Sequence, residues 1–168
     1  IRSFIVYDGK EYGKEYFTVG LGERHFIDVN GKLAYAAVGD GKELIVYDGK
    51  EIEVGRYALV GEDVKSDHDD YTLFSLNNKL AYILEKDKKS FMVYDGKEIG
   101  KEYDKVFDPV SINGKIIYGA QKGGKSFIIY DGKEISTDYD DVYSLTNVGG
   151  KLVYVAKKNG KSFIVMEK

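Results

Sequence analysis

The chain has 168 residues, 43% of them apolar and 32% charged, with a formal net charge of −3. That length can bury a real core in one domain or a small array, and so slight a negative balance gives no electrostatic footing for nucleic acid or an anionic membrane. With no cysteine and no apolar run near the ~18 residues that span a bilayer, disulfides, thiolate metal sites and membrane-crossing helices are excluded. None of this assigns a compartment: extracellular, periplasmic and cytoplasmic locations all stay open. The chain begins at Ile1, inside a repeated phrase, and reads as a mature, cleaved or excerpted piece of a longer protein. One proline against 20 glycines, together with 15 tyrosines and 8 phenylalanines, points to β-structure.

In chain order, the phrase SFIVYDGKE opens the sequence at residues 3–11 and returns as ELIVYDGKE at 43–51, SFMVYDGKE at 90–98 and SFIIYDGKE at 126–134, with a truncated SFIVMEK at 162–168. Between these stand NGKLAYAAV at 30–38, NNKLAYILE at 77–85, NGKIIYGAQ at 113–121 and GGKLVYVAK at 149–157. The tyrosine of the second phrase always precedes the tyrosine (or Met166) of the first by 12 residues, whereas successive YDGKE tyrosines are 40, 47 and 36 residues apart. A constant separation across an Asn-Gly or Asp-Gly type turn is the mark of a hairpin whose register cannot slip. A third apolar stretch precedes each NGK phrase, at residues 25–29, 71–76, 106–112 and 142–148.

Each unit therefore reads as four short antiparallel strands, here labelled A (VYSL type), B (KLVYVA type), C (SFIVY type) and D (KEI type). Helix is not expected anywhere, because the apolar runs are short, β-branched or aromatic and bounded by glycine. The C strand is apolar at consecutive positions, so both of its faces must be covered. Repeated four-stranded sheets stacked face to face are the blades of a β-propeller. The expected architecture is all-β, with about four blades at 23–53, 71–100, 106–136 and 142–168 and surplus outer strands at 1–12. It could close on itself, by letting the N-terminal D strand complete the last blade, remain an open arc, or exchange terminal strands between chains.

This turn–KLAYVA–turn–SFIVYDG–KE pattern resembles the repeat of WD-repeat-like propellers of the TolB-like class. That repeat has an S-P-D-G-K turn before a strand ending in aromatic–Val–Ala, followed by an I-Y-V-x-D-x-D-G hairpin. Ser111 with Asn113, Gly114 and Lys115 stands nearest to the S-P-D-G-K turn; the proline is absent from all four copies. The resemblance implies a propeller with a binding role and supplies no catalytic residue.

Two groups of residues are the candidates for chemistry. The insertion at 53–70, EVGRYALVGEDVKSDHDD, crowds Asp63, Asp67, His68, Asp69 and Asp70 beside Glu62. Calcium takes about six to eight oxygens, which such a stretch could supply, although the spacing is not that of an EF-hand; a solvated acidic loop is the expected reading and calcium the alternative. The second group is Glu102-Tyr103-Asp104 and its counterpart Asp138-Tyr139-Asp140-Asp141. These would either ring one mouth of the propeller with acid and aromatic groups, or serve packing, with tyrosine capping a blade edge and aspartate bonding turn amides. Packing is the expected reading, since one explanation then covers every copy.

No nucleophile elbow or phosphate loop is present, and of the two histidines His25 reads as a strand-edge residue. The expected function is a non-enzymatic scaffold that binds a protein or peptide, with Tyr57, His68, Tyr71, Tyr103 and Tyr139 as partner-binding residues. No cofactor is expected, and homo-oligomers would form by exchange of terminal strands. A carbohydrate or cell-surface binding module is the alternative, with a hydrolase behind it.

Overall fold

A computed structural model of the chain describes residues 3–19, 26–60, 63–66, 68–135 and 139–167; side chains at 13, 18 and 56–71 lie outside the description. The described residues contain strands and turns and no helix. The strands sort into five antiparallel sheets rather than the expected four or so blades. The chain divides into two compact units, residues 1–87 and 88–168, and the boundary falls in a tight turn.

In the first unit β1 (Ser3–Tyr7) and β2 (Lys10–Tyr16) form a two-stranded sheet. The expectation that the N-terminal D strand leaves its neighbour to complete the last blade is thus corrected: β2 pairs with β1, through Ile5–Tyr12 and Tyr7–Lys10. β3 (Thr18–Val19) and β4 (Phe26–Val29) both pair with β5 (Lys32–Gly39), which pairs with β6 (Lys42–Tyr47) and then β7 (Lys50–Val60). β8 (Asp63–Ser66) folds back on the end of β7, with Tyr57 opposite Ser66 and Val60 opposite Asp63. The insertion is therefore largely strand where a loop was expected: its apolar Tyr-Ala-Leu-Val run continues β7 instead of leaving the sheet. β9 (His68–Leu76) and β10 (Lys79–Lys86) close the unit as a hairpin.

The second unit opens with the hairpin β11 (Lys89–Tyr94) and β12 (Lys97–Tyr103). Then comes a four-stranded sheet, β13 (Lys105–Ile112), β14 (Lys115–Lys122), β15 (Lys125–Tyr130) and β16 (Lys133–Ile135), in strictly sequential order. A three-stranded sheet follows, β17 (Asp141–Val148), β18 (Lys151–Lys158) and β19 (Lys161–Met166). The A, B and C phrases thus occupy strands throughout. The D strands β7 and β12 run well beyond the three residues expected of them, because their Gly-containing continuations bulge and stay in the ladder.

Turn chemistry explains the uniform connections. Asp131 and Gly132 have φ of 50° and 79°, and Asn113 and Gly114 have 50° and 79°. Both central residues at positive φ make the turn whose twist matches the flanking strands, and Asn-Gly and Asp-Gly are the pairs that reach it at least cost.

Packing is sheet face on sheet face. In the second unit Ile112, Ile117 and Ile128 of one sheet meet Val142, Leu145, Leu152, Tyr154 and Ala156 of the next. In the first, Ile5 and Tyr16 of the N-terminal hairpin pack on Tyr35, Ala37, Leu44 and Val46. β5 and β14 are buried on both faces: Ala34 to Val38 and Ile116 to Ala120 have no exposed member. Two hydrogen bonds bind the A strands β13 and β17: Ser144 N donates to Asp108 Oδ2 (2.7 Å) and Asn147 Nδ2 to the Ser111 carbonyl (2.9 Å).

Gly119 lies opposite Phe107 across the β13–β14 ladder, and a Cβ there would meet the Phe107 ring at 2.1 Å. An aromatic ring covering a cross-strand glycine restores contact that the glycine itself lacks. Gly119→Ala should therefore cost about 1–3 kcal/mol through overpacking. The same substitution in a Phe107→Ala background should cost far less, as measured by denaturant unfolding of the four proteins of the cycle.

Candidate functional site

In the second unit a cleft of about 530 Å³ lies between the sheets β13–β16 and β17–β19. Ile112, Ile117, Ile128 and Leu152 form its apolar floor. Tyr130, Ile135, Lys151, Lys158 and Glu167 stand around the rim, and Tyr139 enters from the connection between β16 and β17. Tyr139 is half-buried and meets buried Tyr154 edge to face, centroids 6.4 Å apart. The Tyr154 hydroxyl donates to Glu167 Oε1 at 2.8 Å, and burial with that carboxylate raises its pKa above the ordinary phenol range.

The other repeats show what normally occupies this position. Tyr103, one repeat earlier than Tyr139, is buried, and its hydroxyl donates to Glu134 of β16 at 3.2 Å. Tyr16 is likewise buried, stacks edge-on with Tyr35 and donates to Glu51 of β7 at 3.0 Å. Both carboxylates also meet a lysine: Lys14 lies 3.1 Å from Glu51 and Lys101 3.6 Å from Glu134. A tyrosine at the end of one repeat is thus latched by the D-strand glutamate of the next. Burial, then the charge of Glu134 and the hydrogen bond to it, push Tyr103 from 10.0 up to about 12. Burial also raises Tyr16 and Tyr118.

The aspartates after these tyrosines hold turns. Asp104 Oδ2 accepts from Gly123 N at 2.7 Å while its Oδ1 takes the Lys89 ammonium at 2.6 Å. Asp140 Oδ2 accepts from Asn159 N at 2.7 Å. Lys89, followed by the Gly123 amide, holds the Asp104 carboxyl below its ordinary range. Asp141 Oδ1 accepts from Ser126 Oγ at 2.5 Å and from its neighbour Val142 N at 2.9 Å, tying β15 to the start of β17.

Of the expected partner-binding residues whose side chains are described, Tyr139 lines the cleft and Tyr103 does not. Tyr103 is 1% exposed and serves the latch, so it is withdrawn from the binding surface. Tyr57 lies on β7 and His68 and Tyr71 on β9, in the first unit, with side chains outside the description. Asp63 falls on β8 and Asp69 and Asp70 on β9, while Asp67 lies outside the described residues. Among the described residues no group of three or more His, Asp or Glu side chains is placed to hold a metal ion. The sequence reading missed Tyr130, Ile135, Lys151 and Lys158.

A scan against protein-family models and a search of curated proteins return no match to this chain.

Two outcomes test the latch. Tyr103→Phe and Glu134→Gln should each destabilise by about 1 kcal/mol, and the double variant should lose less than their sum, read by urea unfolding. Because Tyr103 keeps its proton more tightly folded than unfolded, its contribution is complete below pH about 10 and falls as pH rises towards about 12. Stability should decline over that window, and the tyrosinate absorbance of the folded protein should lag behind that of the urea-unfolded chain.

Proposed function

We propose that this chain is a non-enzymatic, propeller-type repeat module that binds a protein or peptide, and that the cleft between β13–β16 and β17–β19 is where it does so. The A–B–C–D strand order within β13–β16, the face-to-face packing of that sheet on β17–β19 and the bonded A strands β13 and β17 support the propeller part of the reading.

The observation that carries the binding part is the composition of the cleft. An apolar floor of isoleucine and leucine with a few tyrosine, lysine and carboxylate groups at its edge is the usual make-up of a recognition pocket. Tyr130 and Ile135 are exposed apolar groups at that rim, 39% and 46% accessible. Aromatic side chains at the edge of a desolvated pocket are typical anchors for a peptide.

Panning a displayed peptide library against the protein tests this. Peptides recovered should bind the wild type and lose about tenfold or more in affinity against a Tyr130→Ala/Ile135→Asp variant that unfolds at the same urea concentration. Recovery of no peptide, with binding on a glycan array, would move the assignment to a carbohydrate module.

A further inference from the structure

We propose that the turn between β18 and β19 is a site of self-modification. In the folded protein Gly160 N closes on the Asn159 side-chain amide, and Asn159 passes to aspartate and isoaspartate ahead of Asn30 and Asn113. This stands apart from the binding reading above.

Three turns share the triplet Asn-Gly-Lys, at residues 30–32, 113–115 and 159–161. Glycine after asparagine favours cyclisation, because no side chain shields the attacking nitrogen. The three turns also share a backbone: φ is 55°, 50° and 51° at the asparagines and 76°, 79° and 73° at the glycines. All of these asparagines and glycines are exposed. Neither local sequence nor turn conformation separates the three, so the difference lies in what holds the glycine amide.

The reaction needs that amide as an anion. Its nitrogen attacks Asn159 Cγ and a C–N bond forms. The side-chain nitrogen leaves as ammonia, taking up the proton that the amide gave up. Water then opens the cyclic imide at either carbonyl, giving aspartate or isoaspartate; no oxidant or cofactor is consumed. A hydrogen bond from the neutral N–H, or a negative charge beside it, opposes the ionisation.

The A–B turns have such a bond. Gly31 N donates to Asp28 Oδ1 at 3.2 Å and Gly150 N to Asn147 Oδ1 at 2.9 Å. Each acceptor stands two residues before its turn, where Asx side chains bond the backbone. Ser111, whose hydroxyl can accept, has the same offset before Asn113. Before Asn159 that offset belongs to Lys157, which has donors only. Asp140 is no substitute: its Oδ2 takes Asn159 N at 2.7 Å, holding the residue attacked and not the attacking nitrogen. The B–C turn of the preceding repeat is built alike, with Asp104 on the amide of its first residue, Gly123, at 2.7 Å. Exposed Lys157, Lys158 and Lys161 add positive charge that favours the anion.

The two products differ in fit. Aspartate already occupies the matching position of the β5–β6 turn, Asp40-Gly41, with φ of 52° and 75°, so that product keeps the hairpin. Isoaspartate adds a methylene to the main chain of a two-residue turn closed by the Lys158–Lys161 pair, and the β18–β19 register loosens.

The test is incubation of the 168-residue chain in mildly alkaline buffer, then cleavage after glutamate. That cleavage puts the three asparagines on separate peptides, residues 24–43, 103–134 and 135–167. Tandem mass spectrometry should find acid and isoaspartate at Asn159 several-fold sooner than at Asn30 or Asn113. In guanidinium, with all three triplets unfolded, the rates should converge. Lys157→Asp should slow Asn159 several-fold and Asp28→Ala should speed Asn30 by a similar factor, each in a protein that unfolds at the same urea concentration as the wild type. Asn159 reacting no faster than the other two in the folded chain, an ordering that persists in guanidinium, or a Lys157→Asp protein that reacts like the wild type would each overturn the proposal.

Discussion

A strand that is apolar on both faces has to be covered on both faces, and most of this structure follows from that demand. β5 and β14 carry central runs, Ala34 to Val38 and Ile116 to Ala120, with no exposed or charged residue, so both faces of these runs must be covered. Stacking similar sheets is the solution available to a chain that repeats one sheet. Because the side-chain period of a strand is two, the 12-residue hairpin spacing sets which residues face which neighbour; a slip of one would exchange the two faces. Tight turns with paired positive φ, Asp40-Gly41, Asp87-Lys88, Gly123-Gly124 and Asn159-Gly160, enforce that spacing.

On this scaffold a recurring set of polar contacts acts between repeats. Tyr16 with Glu51 and Tyr103 with Glu134 each join the end of one repeat to the D strand of the next. Asp104 and Asp140 do the same for the B–C turns. Buried phenols need an acceptor, and a D-strand carboxylate provides it at a point where lysine can balance the charge. The cleft beside Tyr139 occurs where, among the described residues, no D-strand glutamate meets the tyrosine.

Much of the fold was legible in the residues. The A, B and C strands, the turns between them and the absence of helix all follow from runs of β-branched and aromatic residues punctuated by glycine pairs. The packing role of Tyr103 and the turn-binding role of Asp104 were also legible, because each recurs with its phrase. Less visible were the extension of β7 into the insertion and the lengthened β12. Both depend on bulges, and a bulge is decided by whether a ladder can continue past a glycine against its actual neighbour.

The sequence by itself determined the repeat, its hairpin register and its two-faced strands, because turn stereochemistry and side-chain alternation are local properties. Tertiary structure decided what those local rules leave open: the sorting into five sheets, the pairing of β2 with β1, the burial of Tyr103 and the half-exposure of Tyr139. These depend on which surfaces meet. Tyr103 and Tyr139 sit in nearly the same local sequence, and the presence of Glu134 against one and a cleft against the other separates a latched, buried tyrosine from a half-exposed one.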